Sequence, residues 1–266
     1  ITIFVWGRAA DRPTGQRSRL GSPDSGPMAP DPLEAAESFL LAVRREEDPT
    51  AFRERLAEVD ANRLAEALST RDSTTAFWLD VYNAVAQQAL RGDPSLFEPR
   101  FGIVRPVFRR PLVTVAGHDR SLDDVEHGLL RGSKLGWGLG YLPRPLPDGF
   151  ERRFRVESVD PRIHFALNCG AASCPPIAVY TAEGVDAQLD LVTESYLETA
   201  ANYDPESNVV QVPRLMLSYR GEDAGSREDG ESLRLYDVIP EGASPRVRYR
   251  SYDWSLDLGR FRESGF

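Results

Sequence analysis

Two cysteines and three histidines are the residues of this chain best suited to chemistry, and four of these five lie between positions 127 and 174. Cys169 and Cys174 fall in the turn-rich segment NCGAASCPP at 168–176. The two prolines after Cys174 are typical of the first turn of a helix. A thiol at a helix N-terminus faces unpaired N–H groups, and these stabilise the thiolate. The pattern therefore favours Cys174 as a nucleophile that a nearby imidazole would activate.

Two histidines are candidates for that imidazole. His164 stands in the alternating segment 162–167, which predicts a half-buried strand with His164 off the apolar face. His127 lies on a predicted helix and could approach Cys174 from another element. Glu126 is adjacent to His127, but successive side chains of an α-helix diverge by about 100°, so we do not expect this pair to orient one another directly. Either histidine could be the general base, with Glu126 as an orienting carboxylate and turn N–H groups around 169–174 as oxyanion donors.

Asn83 is a further candidate, because it flanks the apolar stripe of the predicted helix 74–91. An amide orients the histidine in papain-like sites, although a polar helix face gives the same pattern. The cysteines also have a simpler interpretation as small buried thiols in a tight turn. Zinc accepts the ligand types of His127, His164 and both cysteines, but their spacing matches no common zinc module. We predict no metal and no cofactor.

The elements that must position these residues follow from hydrophobic periodicity. Apolar residues recur at helical spacing over 32–45, 51–68, 74–91 and 185–196, and a capping pattern at Ser121 predicts a helix that ends at Gly132. Short strand candidates lie at 112–115, 208–212 and 246–250. Together these predict an α+β fold: a helical N-terminal part followed by a small mixed or antiparallel sheet packed on helices, in a single domain.

Composition narrows the classes of partner. The 266 residues carry a formal net charge of −9, which opposes binding to nucleic acid or to an anionic membrane. No stretch approaches the roughly 20 apolar residues of a membrane span, and no export signal is evident, so we expect a cytoplasmic protein. We expect residues 1–30 to be a disordered leader or a mis-assigned start, and residues 31–266 to form the domain.

Two segments are predicted to be loops. Residues 132–150 are too rich in glycine and proline for a helix or a strand. A loop of this length in a compact domain is typical of a functional lid or a disordered segment. Residues 221–232 (GEDAGSREDGES) are predicted to be a solvated loop.

Five segments of the chain resemble one known family. They occur in the family's order and are FWLDVYNAV (77–85), SLDDVEHGLLR (121–131), DPRIHFALNCGAASCPP (160–176), AEGVDAQLD (182–190) and YDWSLDL (252–258). The chain is similar in these segments to the DUF547 family, a domain of unknown function. The family pattern reads FW-x-N-x-YN, and here Asp80 replaces its first asparagine. The resemblance implies these signature positions: Trp78, Asn83, Glu126, His127, Arg131, His164, Asn168, Cys169 and Cys174.

These observations lead to three functional hypotheses. The first is a cysteine-dependent hydrolase or acyl transferase that acts on an amide or thioester of a small molecule or peptide, with Cys174 as nucleophile. The second is a non-catalytic binding or scaffold module whose signature residues form a structural polar network. The third is thiol redox chemistry through Cys169 and Cys174. A serine triad of the G-x-S-x-G type and a phosphate-binding loop have no support, since neither motif is present.

Overall fold

The computed structural model of the chain describes residues 31–100, 104–219, 221 and 231–263. The segment 1–30 and most of the loop predicted at 221–232 lie outside this description. The α-helices are α1 Pro32–Arg44, α2 Thr50–Glu58, α3 Ala61–Ala67, α4 Arg71–Gly92, α5 Pro106–Arg109, α6 Gly149–Phe154, α7 Val185–Ala200, α8 Arg214–Ser218 and α9 Glu231–Leu235. Short 3-10 helices span Pro94–Phe97 and Pro161–Phe165, and a π-helix spans Asp124–Leu130. The strands are β1 Val113–Val115, β2 His118–Arg120, β3 Asn202–Asp204, β4 Val209–Val212 and β5 Arg246–Tyr249.

The helical beginning of the chain is confirmed, with two corrections to its boundaries. The single periodic stretch predicted at 51–68 is two helices, because Asp60 accepts hydrogen bonds from the N–H groups of Asn62 and Arg63 and starts α3 there. Helix α4 begins at Arg71, upstream of the predicted start at 74, and its N-cap is Thr70. Thr70 and Ser73 exchange side-chain and backbone hydrogen bonds in a capping box.

Helix α4 forms the centre of the hydrophobic core. It packs along α1 and touches α7 and the π-helix, so nearly all of its circumference is buried. Trp78 is fully enclosed and its indole N–H donates to the carbonyl of Phe154 at 3.0 Å. Polar side chains on a helix that is buried on all sides can bond only to other protein groups. Two of the signature positions that the resemblance implies, Trp78 and Asn83, lie on this helix.

Asp80 stands on α4 where the family pattern has asparagine. Its carboxylate accepts the backbone N–H of Tyr180 at 3.0 Å, a bond that an asparagine oxygen makes equally well. Burial, with a smaller contribution from the charge of Glu37, raises the pKa of Asp80 well above its usual range. The folded state therefore holds this proton more tightly than the unfolded state, and stability is lost as the pH rises above the unfolded pKa of Asp.

We expect Asp80→Asn to stabilise the protein in a pH-dependent way. Asparagine keeps the acceptor for Tyr180 and removes the ionisation, so the free energy of unfolding should rise by about 1–3 kcal/mol near pH 8. The gain should shrink toward pH 4, where the unfolded carboxyl is also protonated. Urea melts at several pH values measure it, with half-exposed Asp72→Asn as the control. A gain that does not change with pH, or a loss, would contradict the assignment.

Two small sheets complete the architecture. Strands β1 and β2 form an antiparallel hairpin that pairs Val113 with Arg120. The second sheet has the order β3-β4-β5, with β3 antiparallel and β5 parallel to β4. Buried Val210 and Val212 of β4 pack on residues around α9. The α+β class, with a helical N-terminal part and small sheets packed on helices, is thus confirmed. The assignment of residues 31–266 to one domain stays a prediction.

The strand predicted at 162–167 is wrong. Asp160 accepts the N–H of Arg162 with its side chain and Pro161 follows as the first helical residue, so the chain enters a 3-10 helix instead. Ile163, His164 and Phe165 are all buried there. The alternating apolar pattern is also typical of a strand, but here it arises because protein covers this 3-10 helix on more than one side.

The capping box predicted at Ser121 forms, but the helix that follows is not a regular α-helix. Ser121 and Asp124 exchange side-chain and backbone hydrogen bonds. The helix then widens into the π-helix, in which the N–H of Arg131 donates to the carbonyl of Glu126 at 2.9 Å. Such wide turns recur at functional sites. Among the described residues, no helix has both the length and the apolar character needed to cross a membrane.

Candidate active site

The turn that carries both cysteines is held from inside by buried amides. The side chain of Asn168 accepts the N–H of Gly170 at 2.9 Å and donates to the carbonyl of Pro175 at 2.7 Å, which closes the turn. Gln87 of α4 donates to the same Asn168 oxygen. Asn83 does not meet a histidine in these contacts: it donates to the carbonyl of Ala166 at 3.0 Å and accepts the N–H of Asn168 at 2.9 Å. Its observed contacts therefore position the turn.

A second set of contacts fixes the turn from outside. The N–H of Ala172 donates to the carbonyl of Ser255, and the N–H of Asp257 donates to the carbonyl of Gly170. Gly170 has a φ of +91°, and a β-carbon on it would lie 2.6 Å from a Leu90 methyl. Only glycine satisfies both conditions. The C-terminal segment is thereby laid along the turn, and it brings Tyr252 to the sulfur atoms.

Cys174 does not lie at the start of a helix, so that expectation is wrong. Pro175 and Pro176 belong to no helix, and Ile177 then forms a bridge with Phe261. A residue before proline is disfavoured in helical backbone, and the second proline here extends that restriction to Pro175. The stabilisation of the thiolate must therefore come from specific donors.

Those donors are a second thiol, a phenol and a backbone amide. Cys174 Sγ lies 3.0 Å from Cys169 Sγ, 3.2 Å from Tyr252 Oη and 3.2 Å from the backbone nitrogen of Cys169. Both cysteines are free thiols, and Cys174 is buried while Cys169 is partly exposed. Three hydrogen-bond donors thus converge on one sulfur.

As a result, the pKa values of the two thiols shift in opposite directions. Burial opposes ionisation of Cys174, but the hydrogen bonds from Cys169, Tyr252 and the backbone favour its thiolate and bring the pKa of Cys174 to about 7. The hydrogen bond to Cys174, together with burial, raises the pKa of Cys169 well above its usual range. Cys169 therefore keeps its proton and donates it to the Cys174 sulfur.

The turn N–H groups proposed as oxyanion donors are mostly engaged by protein acceptors. Those of Gly170, Ala172, Ser173 and Cys174 donate to Asn168, Ser255, Asp253 and Ala171. The phenol of Tyr252 is a donor beside the Cys174 sulfur, since burial raises the pKa of Tyr252 and keeps it protonated.

Glu126 is a buried carboxylate that accepts two tyrosine hydroxyls. Tyr219 donates to its Oε1 at 2.8 Å and Tyr82 donates to its Oε2 at 3.1 Å. Burial opposes its ionisation, but nearby positive charge, that of Arg131 in particular, and the hydrogen bond from Tyr219 outweigh burial and lower the pKa of Glu126. The charge of His164 acts in the same direction. Glu126 thus supplies a fixed negative charge.

His127 is tied to its own helix. Its Nδ1 lies 2.8 Å from Arg131 Nη1 and 3.5 Å from Glu126 Oε1, so the two neighbouring side chains lie closer together than an α-helix would place them. The wider turn of the π-helix rotates successive side chains by less than an α-helix and lets the two groups converge. A guanidinium only donates, so His127 Nδ1 is the acceptor and the proton sits on Nε2. A β-carbon on Gly136 would lie 2.5 Å from that Nε2, so the loop before α6 packs against His127. The last two residues of the loop predicted at 132–150 belong to α6 instead.

His164 stacks on an aromatic ring. Its imidazole lies parallel to Tyr219 with ring centroids 3.4 Å apart, and only 6% of the residue is exposed. The same Tyr219 donates to Glu126, so the phenol connects the carboxylate to the imidazole.

One cavity collects most of these groups. It has a volume of about 170 Å³, and Glu126, His164, Cys169, Cys174 and Tyr252 all line it. The structure therefore brings three of the five residues predicted for the catalytic site, Glu126, His164 and Cys174, to one space, together with Cys169. His127 and Asn83 are absent from the described lining of this cavity. His127 lies behind Glu126, and Asn83 lies behind the cysteine turn. Within the described ranges, no group of three or more histidine, cysteine and acidic side chains is arranged to hold a metal ion.

Comparison with known proteins gives the family. The model of the family described as "Protein of unknown function, DUF547" matches residues 65–197 of the 266-residue chain, which is half of it. The chain belongs to the DUF547 family. Neither the comparison with curated proteins nor the comparison with solved structures gives a match.

Three tyrosines of the site were missed by sequence reasoning. Tyr82 and Tyr252 lie inside segments that resemble DUF547, FWLDVYNAV and YDWSLDL, so the resemblance offered a signal for both. Tyr219 lies outside the residues matched by the DUF547 model and outside those segments. No pattern in the sequence pointed to it.

Proposed function

We propose that this DUF547 chain is a cysteine-dependent enzyme of acyl transfer, a hydrolase or acyl transferase that acts on an amide or thioester. The observation that carries the proposal is the Cys174 sulfur: three donors converge on it, and it opens into a cavity that His164 and Glu126 also line. A thiol with a pKa near 7 is substantially ionised at neutral pH and remains strongly nucleophilic.

The chemistry divides into two steps. The Cys174 thiolate attacks the carbonyl carbon, and Tyr252 donates a hydrogen bond to the oxygen as it gains charge. The bond to the leaving amine or thiol then breaks, and His164 in its protonated form supplies a proton to that group. In the second step water or an acceptor attacks the S-acyl intermediate, His164 takes the proton, and Cys174 is released as thiolate.

His164 is the histidine that we assign to this role. It lines the cavity with Cys174, whereas His127 is held by Arg131 on its own helix. The negative charge of Glu126 favours a positive charge on His164, and Tyr219 holds both groups. Glu126 is thus the orienting and charge-stabilising carboxylate, and Asn83 acts by positioning the turn.

The pH dependence of alkylation tests the nucleophile. Iodoacetamide should label Cys174 with a midpoint near pH 7, and Cys169 should be labelled only at much higher pH, as read by mass spectrometry of the digested protein. Cys174→Ser should abolish labelling at neutral pH. A midpoint for Cys174 near the ordinary thiol value of about 8.5 would contradict the proposal and favour the scaffold alternative.

Tyr252→Phe identifies the cause of the low midpoint. Removal of the phenol takes away a donor 3.2 Å from the Cys174 sulfur, so the midpoint should rise by about one pH unit, which corresponds to roughly tenfold slower labelling at pH 6. Tyr203→Phe is the matched control, because its hydroxyl bonds to Asn208 on the surface. An unchanged midpoint in Tyr252→Phe would remove Tyr252 from the mechanism.

Thiol redox chemistry is a second candidate, favoured by the 3.0 Å between the two sulfur atoms. A disulfide needs about 2.05 Å, so a small movement would join them. With hydrogen peroxide, Cys174 would form a sulfenic acid and release water, and Cys169 would displace a second water to give the disulfide. A loss of two hydrogens by mass that a dithiol reverses, without any acyl transfer, would favour this candidate over the first.

A further inference from the structure

We infer that the substrate of this site carries an aliphatic acyl chain, and that the chain lies in a larger apolar chamber next to the cysteine cavity. The inference rests on the proposed acyl transfer and names its substrate class, an aliphatic acyl thioester. The chamber has a volume of about 440 Å³, within the range of pockets that hold small organic ligands.

The chamber borders the cysteine cavity. His164, Leu215 and Tyr219 line both spaces. The stacked rings of His164 and Tyr219 therefore lie where the chamber meets the space that contains the Cys174 sulfur. A ligand that fills the chamber would present its nearest atoms to the imidazole that we assign to proton transfer.

The side chains that line the chamber favour an aliphatic acyl chain. The wall is formed largely by apolar side chains, among them Phe165, Leu197, Val212, Leu233 and Val247. Among the described residues of the lining, the guanidinium is that of Arg162, and it is already bonded to Asp160, Asp186 and Asp190 at 2.6–2.7 Å. The described carboxylates at this border thus outnumber its described guanidinium, which disfavours an anionic group. An uncharged aliphatic chain matches both properties.

The reaction follows from this placement. The Cys174 thiolate attacks the thioester carbonyl, the bond from that carbon to the leaving sulfur breaks, and the leaving thiolate takes a proton from His164. The acyl chain stays in the chamber while it is bonded to Cys174. Water or an acceptor then attacks the carbonyl, with His164 as base, and the acyl group leaves as acid or as a new acyl product.

Acyl thioesters of N-acetylcysteamine test the chamber. The full chain is mixed with acetyl, butanoyl, octanoyl and dodecanoyl thioesters, and the rate of acylation at Cys174 is read by intact mass. The octanoyl rate should exceed the acetyl rate by at least about tenfold, since each buried methylene favours binding. Val247→Trp, which fills the chamber, should lower the octanoyl-to-acetyl ratio about tenfold, whereas Val104→Trp on the exposed surface should leave it unchanged.

A binding measurement separates this inference from the proposed function. Calorimetry with Cys174→Ala should show tighter binding of the octanoyl than of the acetyl thioester, and Met216→Trp, a second chamber variant, should remove the difference. Chain-dependent binding without acylation of any probe would uphold the chamber and overturn the acyl-transfer proposal. Acylation at equal rates for all chain lengths, with equal binding, would overturn the chamber and leave the acyl-transfer proposal standing.

Discussion

Replacement of His164 by phenylalanine is expected to lower kcat/KM for a thioester by about 10²–10⁴, the usual contribution of a general acid and base. Phenylalanine keeps an aromatic ring to stack on Tyr219, so the wall of the cavity and the hydroxyl that Glu126 accepts are both preserved. What is lost is the pair of ring nitrogens that would move the proton. Steady-state hydrolysis of acyl thioesters and esters measures the effect.

The leaving group distinguishes a proton-transfer role from a structural one. The p-nitrophenyl ester of the same acyl group expels an anion that needs no proton, so His164→Phe should slow it far less than it slows an alkyl thioester or an amide. A variant that had only distorted the site would slow all substrates by a similar factor. Equal losses across leaving groups would therefore remove His164 from proton transfer.

His127→Phe is the matched control. His127 accepts from buried Arg131, so its loss should destabilise the fold by about 1–3 kcal/mol, the cost of a buried donor without its acceptor. The dependence of rate on the leaving group should remain that of the wild type. A selective loss on thioesters and amides in this variant would instead assign His127 as the acid and base.

Helices with strong periodicity could be predicted from the sequence, because their burial repeats with the period of the backbone. Helices α1, α4 and α7 lie where the apolar stripes predicted them. The strands β4 and β5 were also expected, but their parallel pairing was not. A pairing direction depends on the path between the strands, and no local pattern encodes that path.

The wrong prediction at 162–167 has a specific cause. Three apolar residues at alternate positions predict a strand only when the intervening side chains face water. Here the intervening His164 is also buried, since it is covered by Tyr219 from a distant part of the chain. A buried 3-10 helix therefore gave the same pattern as a half-buried strand. The Asp160–Pro161 pair was the local signal for a helix start.

The sequence predicted most residues of the candidate site, but it did not predict which of them contact one another. The rarity of cysteine and histidine pointed to His164 and both cysteines, and Glu126 was a candidate because it neighbours His127; all four line one cavity. The donors that set the acidity of Cys174 come from Tyr252, 78 positions away, and from Cys169 across a five-residue turn. Tyrosine is common in cores, so its presence alone does not mark a site.

Asn83→Ala is expected to destabilise the protein by about 2–5 kcal/mol. The amide is fully buried and bridges the carbonyl of Ala166 and the N–H of Asn168, so its removal leaves two buried backbone groups without partners. Each such group costs about 1–3 kcal/mol. Urea denaturation measures the loss, and exposed Asn62→Ala should change stability by less than about 0.5 kcal/mol.

The same substitution should also affect the cysteines, since Asn83 holds the start of their turn. Without Asn83, the backbone at Asn168 is no longer held, so the 3.0 Å distance between the two sulfur atoms should increase. Because the hydrogen bond from Cys169 then weakens, the alkylation midpoint of Cys174 should rise from its value near pH 7. Asn83→Asp keeps the acceptor for Asn168 and loses the donor to Ala166, so its effect should be intermediate. A large loss of stability with an unchanged Cys174 midpoint would show that Asn83 supports the core and not the site, because only contacts that fix the turn control the distance between the sulfurs.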